Sequence, residues 1–64
     1  MKLILTNTHE KHRLYMEYTY VTLHGLEMRK ALSLLTEGTR EECENTVNTL
    51  KQYFEVEVQD DTRA

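Results

Sequence analysis

Three histidines and one cysteine are the residues of this 64-residue chain best suited to chemistry at neutral pH. His9 and His12 have the H-x-x-H spacing that can bring two imidazoles to one metal ion, and His24 is the third. A zinc site needs three or four oriented protein ligands. His24 falls at the far end of the strand that starts beside His12, so the three read as solvated histidines and no metal is expected. Cys43 stands near the start of a helical pattern, where a thiol can be activated. It also lies on the apolar stripe of that helix, which reads as a buried structural thiol. Glu41, Glu42, Glu44, Glu55, Glu57, Asp60 and Asp61 supply carboxylates but no pair in an apolar pocket, the setting that acid–base catalysis requires. Ser33 has no triad around it, and no glycine-rich phosphate loop is present. The chain therefore reads as non-catalytic, with no cofactor.

Two surfaces remain as candidates for binding. The basic loop Lys11-His12-Arg13, with Lys2 nearby, could hold phosphate with a salt-sensitive affinity. The acidic row could instead imitate the phosphates of a nucleic acid and fill a basic channel in another protein.

Composition narrows the class. Residues 1–30 carry five basic and three acidic side chains (+2), whereas residues 31–64 carry three and eight (−5). The acidic second half disfavours nonspecific nucleic-acid binding and favours basic partners. A chain this short forms a single domain over residues 1–64 with a small core, and such domains commonly gain stability from a disulfide, a metal or a partner. One cysteine excludes an internal disulfide and points to a reducing compartment. No apolar run is long enough to span a bilayer or to make a signal peptide. A cytoplasmic location is expected.

The elements that position these residues follow from periodicity. Leu3-Ile4-Leu5 within Lys2–Thr8 is a continuous apolar run, which predicts a central strand covered on both faces. Leu14 to Leu23, rich in tyrosine, threonine and valine, predicts a second strand. Residues 26–35 are good helix formers by propensity, yet Leu26, Met28, Leu32 and Leu34 alternate as in a strand. With His24-Gly25 as a two-residue turn, Val21 faces Met28, Thr19 faces Lys30, Glu17 faces Leu32 and Tyr15 faces Leu34. Glu17 and Lys30 then become diagonal neighbours of opposite charge. Thr39, three residues before Glu42, forms a capping box that opens a helix carrying Cys43, Val47, Leu50 and Phe54 on one stripe. From Phe54 the period shortens to two through Val56 and Val58, which predicts a last strand.

The expected fold is α+β, a mixed four-stranded sheet of order β-β-β-α-β in the chain with one helix on one face. The alternative is β-β-α-α-β, with residues 26–35 helical. In this reading the helix covers the face bearing Leu32 and Leu34. The opposite face, with Leu14, Met16, Tyr18, Tyr20, Ala31 and Leu35 and with Tyr20 opposite Arg29, is left open, and its residue types are those enriched where proteins meet. The expected function is stoichiometric binding of a larger protein through Met16, Tyr18, Tyr20 and Arg29, or through the acidic helix at Glu41 and Glu44. Self-association through the sheet face accompanies it. The alternatives are a nucleic-acid-binding regulator using Lys2, Lys11 and Arg13, or a structural homodimer. In size, acidity and strand-helix style the chain looks like the small acidic accessory proteins that bacteriophages encode against host enzymes or defence systems.

Overall fold

A computed structural model describes residues 1–63. It contains β1 (Lys2–Asn7), β2 (His12–Val21), β3 (Met28–Gly38), α1 (Arg40–Lys51) and β4 (Glu57–Asp60). The sheet order is β3-β2-β1-β4; β1–β2 and β2–β3 are antiparallel and β1–β4 is parallel. This is the α+β architecture expected, with residues 28–38 in a strand. Alternation outweighs helical propensity there because β2 supplies a ten-residue ladder for the segment to pair with. The helix carries the chain back across the sheet so that β4 runs parallel beside β1. No helix of the described residues is long and apolar enough to cross a membrane.

The hairpin register is the one that the alternation predicts, from Val21 opposite Met28 down to Tyr15 opposite Leu34. Below that point the pairing slips, and Leu14 faces Thr36. Leu35 is the extra residue of a bulge, and the slip reverses which residues of β3 face the helix. The connection is also wider than a two-residue turn. The Thr22 amide donates to the Glu27 carbonyl (3.0 Å), which leaves Leu23 to Leu26 as the loop. Its left-handed residue is Leu26 (φ 50°).

The helix lies on the face opposite to the one expected. The buried core is Leu3, Leu5, Leu14, Cys43 and Val47, with Met16, Leu50 and Val56 packed against it. Leu14 and Met16 therefore sit beneath α1, not on an open face. The register gives the reason: Leu3 pairs with Met16 and Leu5 with Leu14, so four apolar residues of the two central strands stand together on one side. Leu32 and Leu34 belong to the outermost strand and to the other face, where they are exposed. Ile4 shares that uncovered face and is half-buried, so β1 is central but not covered on both sides.

The helix starts where the sequence indicates. The Thr39 hydroxyl accepts from the Glu42 amide (3.1 Å), and Glu41 and Glu42 occupy the first turn. The Glu42 carboxylate folds back over Gly38, where any Cβ would collide with it, and Gly38 has a φ of 156°. The strand thus passes into the helix through a position suited to glycine alone. At the other end α1 stops at Lys51, and the Tyr53 and Phe54 amides both donate to the Leu50 carbonyl (3.0 and 2.9 Å). Phe54 leaves the stripe and is exposed, and only Val56 of the expected Phe54–Val58 strand start reaches the core.

Thr39→Ala is expected to cost about 1 kcal/mol in chemical denaturation through the lost cap. Gly38→Ala should cost at least about 1 kcal/mol through its φ, and a second change, Glu42→Ala, should recover little of it, since the exposed Glu42 carboxylate can swing clear of the new methyl group.

Candidate functional site

The basic residues of the β1–β2 loop meet the end of β3. Lys11 Nζ and Arg13 Nε each lie 3.0 Å from a different oxygen of the Glu37 carboxylate. These bonds, Lys11 first, hold the Glu37 carboxyl below its ordinary range, and the same carboxylate raises the Arg13 guanidinium. Lys2 and Lys30 flank Glu17 at 3.9 and 3.6 Å, the Glu17–Lys30 contact being the diagonal pair that the register requires. Arg29 pairs with Glu27 at 3.1 Å. Lys2, Lys11, Arg13 and Arg29, the cations that a nucleic-acid surface would use, thus each face a carboxylate of the same chain. Phosphate would have to displace those partners.

The acidic row is divided as well. Arg40 binds Glu44 (2.9 Å) and Asp60 (3.0 Å), joining the first turn of α1 to β4. Asp60 is held below its usual range chiefly by hydrogen bonds from the Thr62 hydroxyl and amide, with Arg40 adding to the effect. Glu41 is exposed beside this cluster. The Glu55 carbonyl accepts from the Met1 amino group (2.9 Å). The chain's last described residues are tied down by Asn7, which donates to the Arg63 carbonyl and accepts from the Arg63 amide, both at 2.7 Å.

Cys43 is fully enclosed, and burial, with the neighbouring Glu42 charge, pushes its thiol upward. It is a core residue with the opposite of an activated nucleophile's environment. His12 opens β2 and His24 lies in the loop beyond the other end, separated by about 33 Å of strand. Among the described residues no three His, Cys, Asp or Glu side chains cluster as metal ligands.

What the structure assembles is a projecting arm. The β1 ladder ends at Lys2 opposite Glu17, so Tyr18–Val21 pair only with Met28–Ala31. The twelve residues of α1 span about 18 Å, half the length of the eleven-residue β3 at about 36 Å. The ribbon from residue 18 to residue 31 therefore extends past both the helix and the neighbouring strand. The Cα radius of gyration is 13.4 Å, against about 11 Å for a compact chain of this length, and the extents are 40 × 29 × 15 Å.

The arm is apolar at its end. Leu23, Leu26 and Met28 are 95, 84 and 75 % exposed, and Val21 stands beside them. On its helix-side face Tyr18 and Tyr20 place their rings 6.3 Å apart, with Arg29 opposite Tyr20. Three of the residues expected to bind a partner, Tyr18, Tyr20 and Arg29, are thus together and accessible. Met16 is part of the core margin, and Glu41 and Glu44 lie on the helix, away from the ribbon. Sequence reasoning missed Leu23 and Leu26 because it placed them inside paired strands; two leucines flanking His24-Gly25 were the available signal.

Glu37 and Asp60 have lower pKa values folded than unfolded. Both contribute stability that is present above the ordinary carboxylate range and is lost as pH falls through their depressed values. Urea denaturation between about pH 5 and pH 2 should show this acid loss, and Glu37→Gln should make the dependence shallower. Comparison with protein-family models, with curated proteins and with solved structures finds no match.

Proposed function

We propose that this protein is a non-catalytic binding module, a small regulator or inhibitor that inserts its β2–β3 arm into an apolar groove of a larger protein. The observation that carries this reading is the concentration of exposed Val21, Leu23, Leu26 and Met28 at the end of a ribbon that the core does not support. A leucine in the left-handed region costs about 1 kcal/mol or more, and an exposed one gives nothing back to the folded chain. Such a cost is understandable where the side chain is used against a partner. Two stranded ribbons are marginal alone, so the arm gains order on docking, and the tyrosine pair with Arg29 adds the residue types that dominate interfaces. The acidic helix face contributes long-range attraction to a basic rim around such a groove. Blocking a host enzyme or a defence protein, in the manner of phage accessory proteins, is a role that this design suits.

The test uses the arm's own strain. Leu23→Ser/Leu26→Gly removes both tip leucines and relieves the left-handed leucine, so stability in urea should hold or rise by about 1 kcal/mol. Affinity capture from lysate of the source cells should recover one near-stoichiometric protein with the wild type and none with this variant. Tyr18→Ala/Tyr20→Ala should weaken the same capture. Equal recovery by wild type and tip variant, with loss only in Glu41→Lys/Glu44→Lys, would move the site to the acidic helix.

A further inference from the structure

The outer edge of β3 is long, and although Lys30 and the bulge at Leu35 guard it in part, its sequence complements itself. One sheet edge, β4, is four residues long and carries Glu57 and Asp60, features that discourage strand addition. The other, β3, offers eleven residues with no strand beyond it among the described residues. The bond from the Thr22 amide to the Glu27 carbonyl sets the phase of the β2–β3 ladder. Main-chain groups alternate in direction along a strand. Arg29, Ala31 and Ser33 therefore point theirs at β2, and Met28, Lys30, Leu32 and Leu34 point theirs outward.

From this we propose that β3 pairs antiparallel with β3 of a second copy about a two-fold axis at Ser33, joining two sheets into one of eight strands. An antiparallel pair needs the outward residues of one copy opposite those of the other, and three centres near mid-strand meet that need. Centring on Leu32 sets Lys30 against the partner's Leu34. Centring on Ala31 sets Lys30 against the partner's Leu32. Centring on Ser33 sets Leu32 against the partner's Leu34, and the bulge at Leu35 then brings Lys30, which keeps its 3.6 Å contact with Glu17, level on the same uncovered face with the partner's Glu37, which Lys11 and Arg13 of its own chain also hold. Each contact occurs twice by symmetry. Apolar side chains meet apolar ones and opposite charges meet in this register alone, and cross-strand pairs of both kinds stabilise a sheet. The partner that the edge fits is thus a second copy of this chain. The pairing reaches the arm only along the β3 edge at Lys30, so the tips around Leu23 and Leu26 stay free and the dimer presents two of them; the proposal stands apart from the arm's own target and needs no third protein.

The experiment is sedimentation of the purified chain together with cysteine scanning along β3. Wild type should sediment at about twice its 7.6 kDa mass at micromolar concentration. Ser33 is a non-hydrogen-bonded position on the axis, where opposed Cα atoms approach to about 4.5 Å. Ser33→Cys should therefore oxidise to a disulfide-linked dimer, with Cys43 enclosed and unreactive. Ala31→Cys, two residues off the axis, should not. Lys30→Glu, which sets like charges opposite each other twice, should weaken the dimer about tenfold. A wild type that sediments as a monomer up to hundreds of micromolar, or equal crosslinking of Ser33→Cys and Ala31→Cys, would overturn the proposal. Either result would leave capture by the arm unaffected.

Discussion

Closure of α1 over two leucines of β1 and one of β2 is the contact on which the rest of this molecule depends. Among the described residues, Leu3, Leu5, Leu14, Cys43 and Val47 are the ones fully withdrawn from water, with Met16, Leu50 and Val56 partly so. Each such side chain contributes roughly 1.5–3 kcal/mol at most, and so small a core cannot stabilise every part of 64 residues. Its position decides which parts are secure. Both central strands have side chains in it, the helix has its buried stripe in it, and Val56 brings the return to β4 against it. The arm beyond Glu17 has none.

Polar devices hold the margins that the core does not reach. The Arg40 pairs join the helix start to β4, the Asn7 clasp secures residue 63, and the Glu37 fork joins the β1–β2 loop to the end of β3. These groups are exposed, so each is weak by itself. Their value lies in placement, since every one closes an end of the sheet nearest the helix. None closes the far end, where the exposed leucines are. The molecule is thus polarised into a pinned half and a projecting half, and the second carries its most exposed apolar side chains, Leu23 and Leu26.

How much of this was legible in the chain depends on how locally each feature is encoded. Thr39 and Glu42 fix the helix start by contacts three residues apart, and the alternation of residues 28–34 fixes the strand and its register with β2. The choice of covered face is not local. Leu32 and Leu34 are the larger apolar set on β3, so an alternation argument assigns them to the core. The structure instead uses the side on which Leu3 and Leu5 of β1 meet Met16 and Leu14 of β2, and sets the smaller Ala31 and Ser33 toward the helix. The bulge at Leu35, which no composition signal marks, changes only the pairing below it, setting Thr36 in place of Leu35 opposite Leu14. For the candidate site, Tyr18, Tyr20 and Arg29 were readable as interface types on one strand pair. The tip leucines were not, because a two-residue turn would have paired them.

The most direct measurement is therefore of which sheet face the helix covers, since that assignment both buries Leu14 and frees the arm and the β3 leucines. In a methyl-labelled sample, nuclear Overhauser contacts from Val47 should run to Leu3, Leu5 and Leu14, with none to Leu32 or Leu34. Contacts from Val47 to Leu32 and Leu34, with Leu14 silent, would place the helix on the other face and contradict the account.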